Sequence, residues 1–405
     1  VTTVKRKQTS KPETLRGPSQ SLNQGLHAAK AAKKDEFYTQ YVDIQREIEA
    51  YLEFDSDSFR GKALYCNCDD PFESNFFKYF AANFNKLGLR KLITTSYDGS
   101  PIAGQGLLFP EYSATNGKRQ KPKALAVILD RVQDEDGDGA ANITDVEIFL
   151  KRNKAARKAL KGSDKYAGGD FRSPECLELL KEADVVVTNP PFSLFREYLA
   201  KLMENSKKLL IIGNLNAIKY KVVFPHFQSN QLWLGPSISS GDREFQVPDD
   251  YPLNASGWRV DKDGTKFIRV KGVRWFTNLD HGRRHLPLNL MTMADNQRFN
   301  KKLHGTAAYD AYENYSAIEV PFTDAIPSDY AGIMGVPISF LDKYSPEQFE
   351  IIWQASGNTR ASTPAEILQR IGYVPHPDDR GGCAILHGRR TYDRIFIRPK
   401  GKGNK

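Results

Sequence analysis

Ala183-Asp184-Val185-Val186-Val187-Thr188-Asn189-Pro190-Pro191-Phe192 is the stretch on which the fold turns. Its β-branched run reads as a short, buried, parallel strand. Asn-Pro-Pro then ends the strand, because neither proline carries an N–H and both fix φ. Open α/β sheets bind ligands beyond the carboxyl ends of their strands, so the loop at 189–192 falls where a site belongs. The Asn189 side-chain oxygen and the Pro190 carbonyl, stiffened by Pro191, make two acceptors aimed at one donor group, and Phe192 offers a ring to stack on a planar base. This is equipment for holding an exocyclic amino group. Pro-Pro also serves simply to stiffen turns, so the rest of the chain decides between the two readings.

Working outward, helical spacing of apolar residues marks 43–52. Residues 62–71 read as a strand breaking into an Asx-rich loop, and 74–87 as an aromatic-rich helix. Strands are expected at 91–97, 124–129 and 208–213, and helices at 145–158, 174–181 and 194–203. Strands alternating with helices at this spacing predict an α/β fold with a doubly wound, mostly parallel sheet over about 60–225. Past residue 234 glycine, proline, tryptophan and basic residues become dense. There 264–276 alternates like half-exposed strands with Lys and Arg on one face. The expected organisation is a basic disordered arm at 1–34, a first domain at 35–234 with an acidic insertion at about 130–160, and an α+β lobe at 235–405.

The 405 residues, 40% hydrophobic and 11% aromatic, suffice for a large core or for two to three domains. A net charge of +9 suits an anionic partner, although the basic tails supply part of it. No apolar run approaches a membrane span and none resembles a signal peptide, so a soluble, cytoplasmic chain is expected. Cys66, Cys68, Cys176 and Cys383 are too scattered for a disulfide framework, and Cys66-Asn67-Cys68 lacks the two-residue gap of a zinc knuckle. In the insertion, Asp134, Asp136, Asp138 and Asp145 occupy positions 1, 3, 5 and 12 of a calcium-loop spacing, with Gly139 at 6. Two readings stand side by side: a structural calcium site, or a solvated acidic loop capping a helix. Neither is catalytic.

Asp35-Glu36-Phe37-Tyr38-Thr39-Gln40, the 65–71 turn, Gly169-Asp170-Phe171-Arg172-Ser173 and the 186–199 run resemble the EcoRI-type adenine-specific DNA methyltransferases. Trp275-Phe276-Thr277-Asn278-Leu279-Asp280, the 334–341 segment, 346–349 and 394–398 extend the resemblance, which runs from about Ala29 to the end. It implies the class I S-adenosylmethionine-dependent methyltransferase fold, followed by a C-terminal target-recognition lobe. It also implies N6 methylation of an adenine flipped out of double-stranded DNA, in a GAATTC-like site. Asn189 and Pro190 would accept from the N6 amino group, with Pro191 stiffening the loop and Phe192 stacking on the base. The S-adenosylmethionine seat would comprise Phe37, Tyr38 and Thr39, the turn of Cys66, Asn67, Asp69 and Pro71, and the pair Asp170 and Phe171 beside the cofactor's adenine. Asp98 is the nearest acidic residue after the second strand for the ribose hydroxyls. The 66–71 turn departs from the glycine-rich loop of most methyltransferases, a departure that is this family's own. Arg243, Arg274, Arg283, Arg284 and His285 are the expected DNA contacts, most of them to phosphates. The enzyme is expected as a monomer, with any cognate endonuclease forming no stable complex. Methylation of RNA or of another amino group is the alternative, since other Asn-Pro-Pro-Phe enzymes do this. A catalytically inactive DNA-binding relative would require loss of Asn189 or of the cofactor motifs.

Overall fold

The computed structural model describes residues 39–68, 74–97, 124–153, 156–239, 241–247, 251, 253, 257–357 and 359–401. The basic arm, Phe37, Tyr38, Asp69, Pro71 and Asp98 lie outside the described residues.

The described residues begin with α1 (Tyr41–Phe54), β1 (Ala63–Asn67), α2 (Asn75–Ala82), β2 (Lys91–Thr95), β3 (Leu125–Leu129), α3 (Ile143–Arg152) and β4 (Arg157–Ala159). It continues through α4 (Pro174–Glu182), β5 (Val185–Thr188), α5 (Phe195–Glu204), β6 (Lys208–Asn214), α6 (Phe224–Gln228) and β7 (Trp233–Leu234). Then follow β8 (Asp242–Val247), β9 (Arg259–Val260), β10 (Lys266–Lys271), β11 (Val273–Thr277) and α7 (Met293–Phe299). Last come β12 (Ile318–Glu319), β13 (Met334–Pro337), β14 (Phe349–Ala355), α8 (Ala365–Arg370), β15 (Ile385–Leu386), β16 (Arg389–Arg390) and β17 (Arg394–Pro399).

The main sheet runs β4-β3-β2-β1-β5-β6-β11-β7. Its centre, β2-β1-β5-β6, is parallel throughout. β3 and β11 pair antiparallel to their neighbours, which leaves six of the eight strands pointing one way. The strand at 124–129 therefore forms as expected, but antiparallel. Apolar runs in β1, β5 and β6 are buried on both faces, as strands covered by helices must be. One face, with Tyr65, Val186, Leu209 and Ile211, packs on Leu179 and Leu180 of α4 and on Phe195, Tyr198 and Leu202 of α5. The other, with Leu64, Val185, Val187 and Leu210, packs on Ile44, Ile48 and Tyr51 of α1 and on Phe76, Phe77 and Phe80 of α2. Each such aromatic contributes about 1.5–3 kcal/mol by leaving water. This is a doubly wound α/β sheet.

Helix ends follow their caps. Ser74 accepts from the Phe76 N–H at 3.1 Å, and Ser173 from the Cys176 N–H at 3.3 Å, with Pro174 in the first turn. Two predicted helices are shorter than expected. α2 ends at Ala82, where the Asn83 amide turns back onto Ala81 and Tyr79, and α3 ends at Arg152, leaving 157–159 to add the edge strand β4.

The sheet also takes a strand from beyond residue 234. Gly272, at φ +70°, turns the chain directly from β10 into β11, which pairs with β6. Residues 264–276 were expected to be half exposed, with the cations on one face. β10 matches this in part, with Arg269 and Lys271 exposed on one face but Lys266 on the face of buried Ile268 and Val270, while all of β11 is buried, Arg274 included. A three-stranded sheet, β8-β10-β9, and a four-stranded sheet, β12-β13-β17-β14, follow. The core of the latter is continuous with the α4–α5 face of the main sheet. Gln228 at the end of α6 donates to the Ile352 carbonyl at 2.6 Å, and Phe224 meets Trp353 edge-on at 5.4 Å.

Candidate active site

β1 has β2 on one side and β5 on the other, so strand order reverses there, where open α/β sheets bind ligands. The polar residues at these strand ends hold one another. The Thr95 hydroxyl donates to Asn67 Oδ1 at 3.1 Å and lies 3.2 Å from the Tyr65 hydroxyl. The Thr188 hydroxyl donates to the Asn67 carbonyl, fixing the end of β5 against the end of β1. Asn67 is thus buried and clamped, and Cys68 after it turns into the left-handed region at φ 65°, with its thiol 3.6 Å from Asn67 Oδ1. Buried Thr39 is drawn to the same edge, because Asn75 at the start of α2 donates to its carbonyl at 2.7 Å. The Thr39 hydroxyl itself has no hydrogen-bond partner among the described residues.

Asn189 and Pro190 continue directly from Thr188 and are buried, and the Pro191 carbonyl accepts from the Leu194 N–H at 2.9 Å. That bond closes the single turn Phe192–Leu194, which leads into α5 and leaves Phe192 half exposed. The loop is short and anchored at both ends. It presents an amide oxygen and a carbonyl from a fixed backbone.

The third component is the turn at 168–171. Gly169 sits at φ +78°, and a Cβ there would lie 1.8 Å from the Ser96 carbonyl oxygen, so only glycine lets this turn press against the end of β2. Asp170 follows, buried, and both its oxygens are taken by Arg172: Nε to Oδ1 at 2.9 Å and Nη2 to Oδ2 at 2.7 Å. Arg172 also reaches Glu197 of α5 at 3.0 Å and lies over the Tyr166 and Phe171 rings. The paired carboxylates, the Asp170 hydrogen bond above all, push the guanidinium pKa upward. Phe171 was expected to flank a cofactor ring. It is buried edge-on against Tyr198, at 4.9 Å between centroids, and belongs to the core. Asn67, Cys66, Thr39, Asp170 and Asn189 all reach this edge of the sheet. Thr95, Thr188 and Arg172 were missed by sequence reasoning. The first two carried a usable signal, a hydroxyl closing an apolar strand.

The basic residues divide. Arg274 is buried in a bidentate pair with Asp342, at 2.7 and 3.1 Å, and donates to the Val273 and Ser239 carbonyls. Arg284 is buried on the Trp233 ring and bonded to Asp280 and Asn230 at 2.9 and 2.7 Å. The expectation that these two meet phosphates is corrected, because both guanidinium groups are buried on protein partners: Asp342, 68 residues from Arg274, and Asn230 and Asp280, 54 and four residues from Arg284. Arg243 is half-buried, with its Nε 3.9 Å from Asp43. Arg283 donates to the Pro236 carbonyl at 2.7 Å. His285 stacks on Phe54 and lies 3.0 Å from both Asp280 and Glu347, and the Asp280 hydrogen bond foremost raises its pKa.

In the acidic loop, exposed Asp134, Asp136 and Asp138 bring carboxylate oxygens within 4.8 Å of one another. Asp145, the expected fourth ligand, is not among them. Its Oδ1 accepts from the Glu135 and Asp136 amides at 2.7 and 3.2 Å, and its Oδ2 from the Asn142 amide at 2.7 Å. Asn142 and Asp145 form a capping box at the start of α3. Asp134 and Asp138 likewise accept from the loop's own amides, at 2.6 and 2.8 Å. The arrangement supports the helix-capping reading and gives calcium no support. Among the described residues, no helix is long and apolar enough to cross a membrane.

The family model described as "Adenine-specific methyltransferase EcoRI" matches residues 25–400. The chain is 43% identical to the Type II methyltransferase M.EcoRI of Escherichia coli over 339 residues, 82% of this chain and 89% of that one. It is 32% identical to M.MgeORF184P of Mycoplasma genitalium over 92% of this chain and 98% of that one. It is 33% identical to M.MpnI of Mycoplasma pneumoniae over 93% and 98%, and both are likewise named Type II methyltransferases. No solved structure matches the chain. With nearly its whole length matched, the chain belongs to the EcoRI-type family of adenine-specific methyltransferases.

Proposed function

We propose that the chain methylates the N6 amino nitrogen of an adenine within a short, specific sequence of double-stranded DNA, as the modification partner of a restriction system. The observation that carries this reading is the anchored Asn189-Pro190-Pro191-Phe192 loop at the end of β5, beside the β1 end where strand order reverses. Asn189 Oδ1 and the Pro190 carbonyl accept the two amino hydrogens of the target base. Accepting both turns the nitrogen lone pair out of conjugation and toward the methyl donor, so the residues act through position and electrostatics. Phe192 stacks on the base, which leaves the duplex at a cost of a few kcal/mol.

The cofactor is S-adenosylmethionine, which supplies an electrophilic methyl group. The residues at the strand ends suit it. Thr39 offers a buried hydroxyl with no partner among the described residues. Asp170, oriented by Arg172, keeps carboxylate lone pairs for an amino group, and Asn67 shapes the turn after β1. Phe37, Tyr38, Asp69, Pro71 and Asp98 complete the seat in this reading. The segments beyond the main sheet, about 235–405 apart from β11, form the target-recognition lobe. Arg243, Arg283 and His285 supply its duplex contacts, and a GAATTC-like sequence is the target. The enzyme works as a cytoplasmic monomer, with no stable endonuclease complex.

Incubation with unmethylated plasmid and labelled S-adenosylmethionine, followed by nucleoside digestion and chromatography, tests the proposal. Label in N6-methyladenine is expected. Label confined to RNA or protein, or to cytosine, would overturn it.

A further inference from the structure

Among the described residues, most arginines from Arg259 onward are ion-paired within the protein. Arg259 pairs with Glu244, Arg360 with Asp379, Arg370 and Arg398 with Glu350, and Arg394 with Glu319. Arg389 and Arg390 are different. They form β16, the outer strand of a two-stranded hairpin with β15, both are exposed, and neither guanidinium makes an ion pair among the described residues. Two positions on, Tyr392 is 89% exposed. Together with Asp378, Gly388 and Thr391 these three line an open pocket of about 520 Å³.

The hairpin is built rigidly. Its tip, His387-Gly388, has φ +51° and +66°, the two positive values of the tightest hairpin turn. Glu313 accepts from the Gly388 amide at 2.7 Å, His387 lies 3.2 Å from Asp310, and Thr391 donates to the Ala384 carbonyl through both amide and hydroxyl. Behind it, Ile385 and Ala384 are fully buried. Two unpaired cations and an exposed aromatic on so fixed a support give up little conformational freedom on binding a partner.

The hairpin's position adds to this. Asp393, next to Tyr392, is ion-paired at 2.6 Å with Lys219, which lies in the single turn Leu215–Lys219 just after β6. β6 runs parallel to β5, so both strands end on the sheet edge that carries Asn189. From the same edge, exposed Tyr220 lies under the Arg196 guanidinium at 5.1 Å.

We infer that the β15–β16 hairpin, through Arg389, Arg390 and Tyr392, grips the sugar–phosphate backbone of duplex DNA beside the base being methylated. The inference rests on the DNA reading above and adds a contact element to it. Guanidinium groups match phosphate oxygens with two parallel hydrogen bonds, and a tyrosine hydroxyl adds a third donor. Asp378, which lies 3.8 Å from His376, is the one carboxylate among the described residues that line the pocket.

The test measures binding of the full chain to a labelled duplex oligonucleotide by anisotropy over a salt series, with methyl transfer to plasmid assayed in parallel. Each phosphate contact contributes about 0.9 to the slope of log affinity against log salt. The double variant Arg389→Ala/Arg390→Ala should lower the slope by about 1.8, so the parent loses roughly 12-fold more affinity than the variant between about 50 and 200 mM salt. Arg389→Gln/Arg390→Gln, which keeps side-chain length, should do the same, and both should bind S-adenosylmethionine like the parent. Tyr392→Phe should weaken binding without changing the slope. A parent that binds and methylates duplex DNA, with double variants of unchanged slope, overturns the inference. A parent that neither binds nor methylates duplex DNA overturns the reading on which it rests.

Discussion

Two residues at the sheet edge carry different burdens, and substitution separates them. In the proposed reaction Asn189 acts on the target, while the loop around it is held by the Pro191–Leu194 bond and by the Thr188 clamp. Asn189→Ala should therefore leave stability and S-adenosylmethionine binding nearly intact while lowering kcat by at least about 10²-fold, the usual cost of one preorganised polar group at a reacting centre. Single-turnover methylation beside calorimetric cofactor titration reads both quantities, and full turnover in the variant would remove the residue from the acceptor pair. Gly169 acts on the protein itself. Its φ of +78° alone costs a side chain about 1–3 kcal/mol, and the 1.8 Å approach to the Ser96 carbonyl forbids a Cβ without moving β2. Gly169→Ala should lower unfolding free energy by at least that amount and weaken cofactor affinity in parallel, because Asp170 moves with the turn. A variant with parental urea midpoint and cofactor affinity would contradict this.

At the scale of elements, β11 shows how a strand is held by a partner far away in sequence. Arg274 meets Asp342, where burial raises the carboxyl pKa and the guanidinium pulls it back. Removing one partner strands a buried charge, so Arg274→Ala should cost about 3–5 kcal/mol, whereas replacing both partners together by Met and Leu should cost much less. Denaturant unfolding of the single and double variants checks this, and an equal loss in both would show that the ion pair is not what holds the strand. The same strand marks the limit of what the sequence revealed. β1, β2, β5 and β6 were legible because each is an unbroken β-branched or apolar run closed by a breaker, and the Asn189 loop was legible because two prolines leave the backbone few options. β11 alternates locally like an exposed strand, yet its charged position is buried by a residue 68 positions later, which no window of local pattern contains. β4 and β7 were missed for a related reason. They are three- and two-residue edge strands defined by pairing, with no apolar period of their own. The Asp170–Arg172 clamp lay within a quoted motif, but only packing beside α5 shows that Arg172 takes both carboxylate oxygens.

At the scale of the whole molecule, later segments are fastened to α1, and that fastening titrates. Glu47 of α1 is fully buried. It accepts from the Ser237 amide at 2.9 Å and from the Tyr51 hydroxyl at 3.1 Å, and desolvation pushes its pKa up to about 7. His281, in the loop after β11, donates from Nε2 to the Leu234 carbonyl at 3.0 Å and packs edge-on against Tyr51. Desolvation pushes its pKa down to about 4. Both groups thus hold the 234–237 crossing against α1, and both fold in their neutral forms. Between the ordinary Glu value of 4.5 and about 7, the unfolded chain has lost the Glu47 proton that the folded chain keeps, so this contribution to stability declines as pH rises. Between about 4 and the ordinary His value of 6.5, the unfolded chain carries a His281 proton that the folded chain lacks, so that contribution declines as pH falls. From about pH 4.5 to 6.5 the two slopes, each about 1.4 kcal/mol per pH unit, oppose one another and nearly cancel. Single substitutions uncover them. Relative to the parent, Glu47→Gln should gain stability as pH rises through this window, and His281→Gln should lose it. Urea unfolding at half-unit pH steps gives the two differences directly. Parallel curves for parent and variants would mean that neither group is held neutral at the crossing, and a slope changed in one variant alone would mean that only that variant's group is.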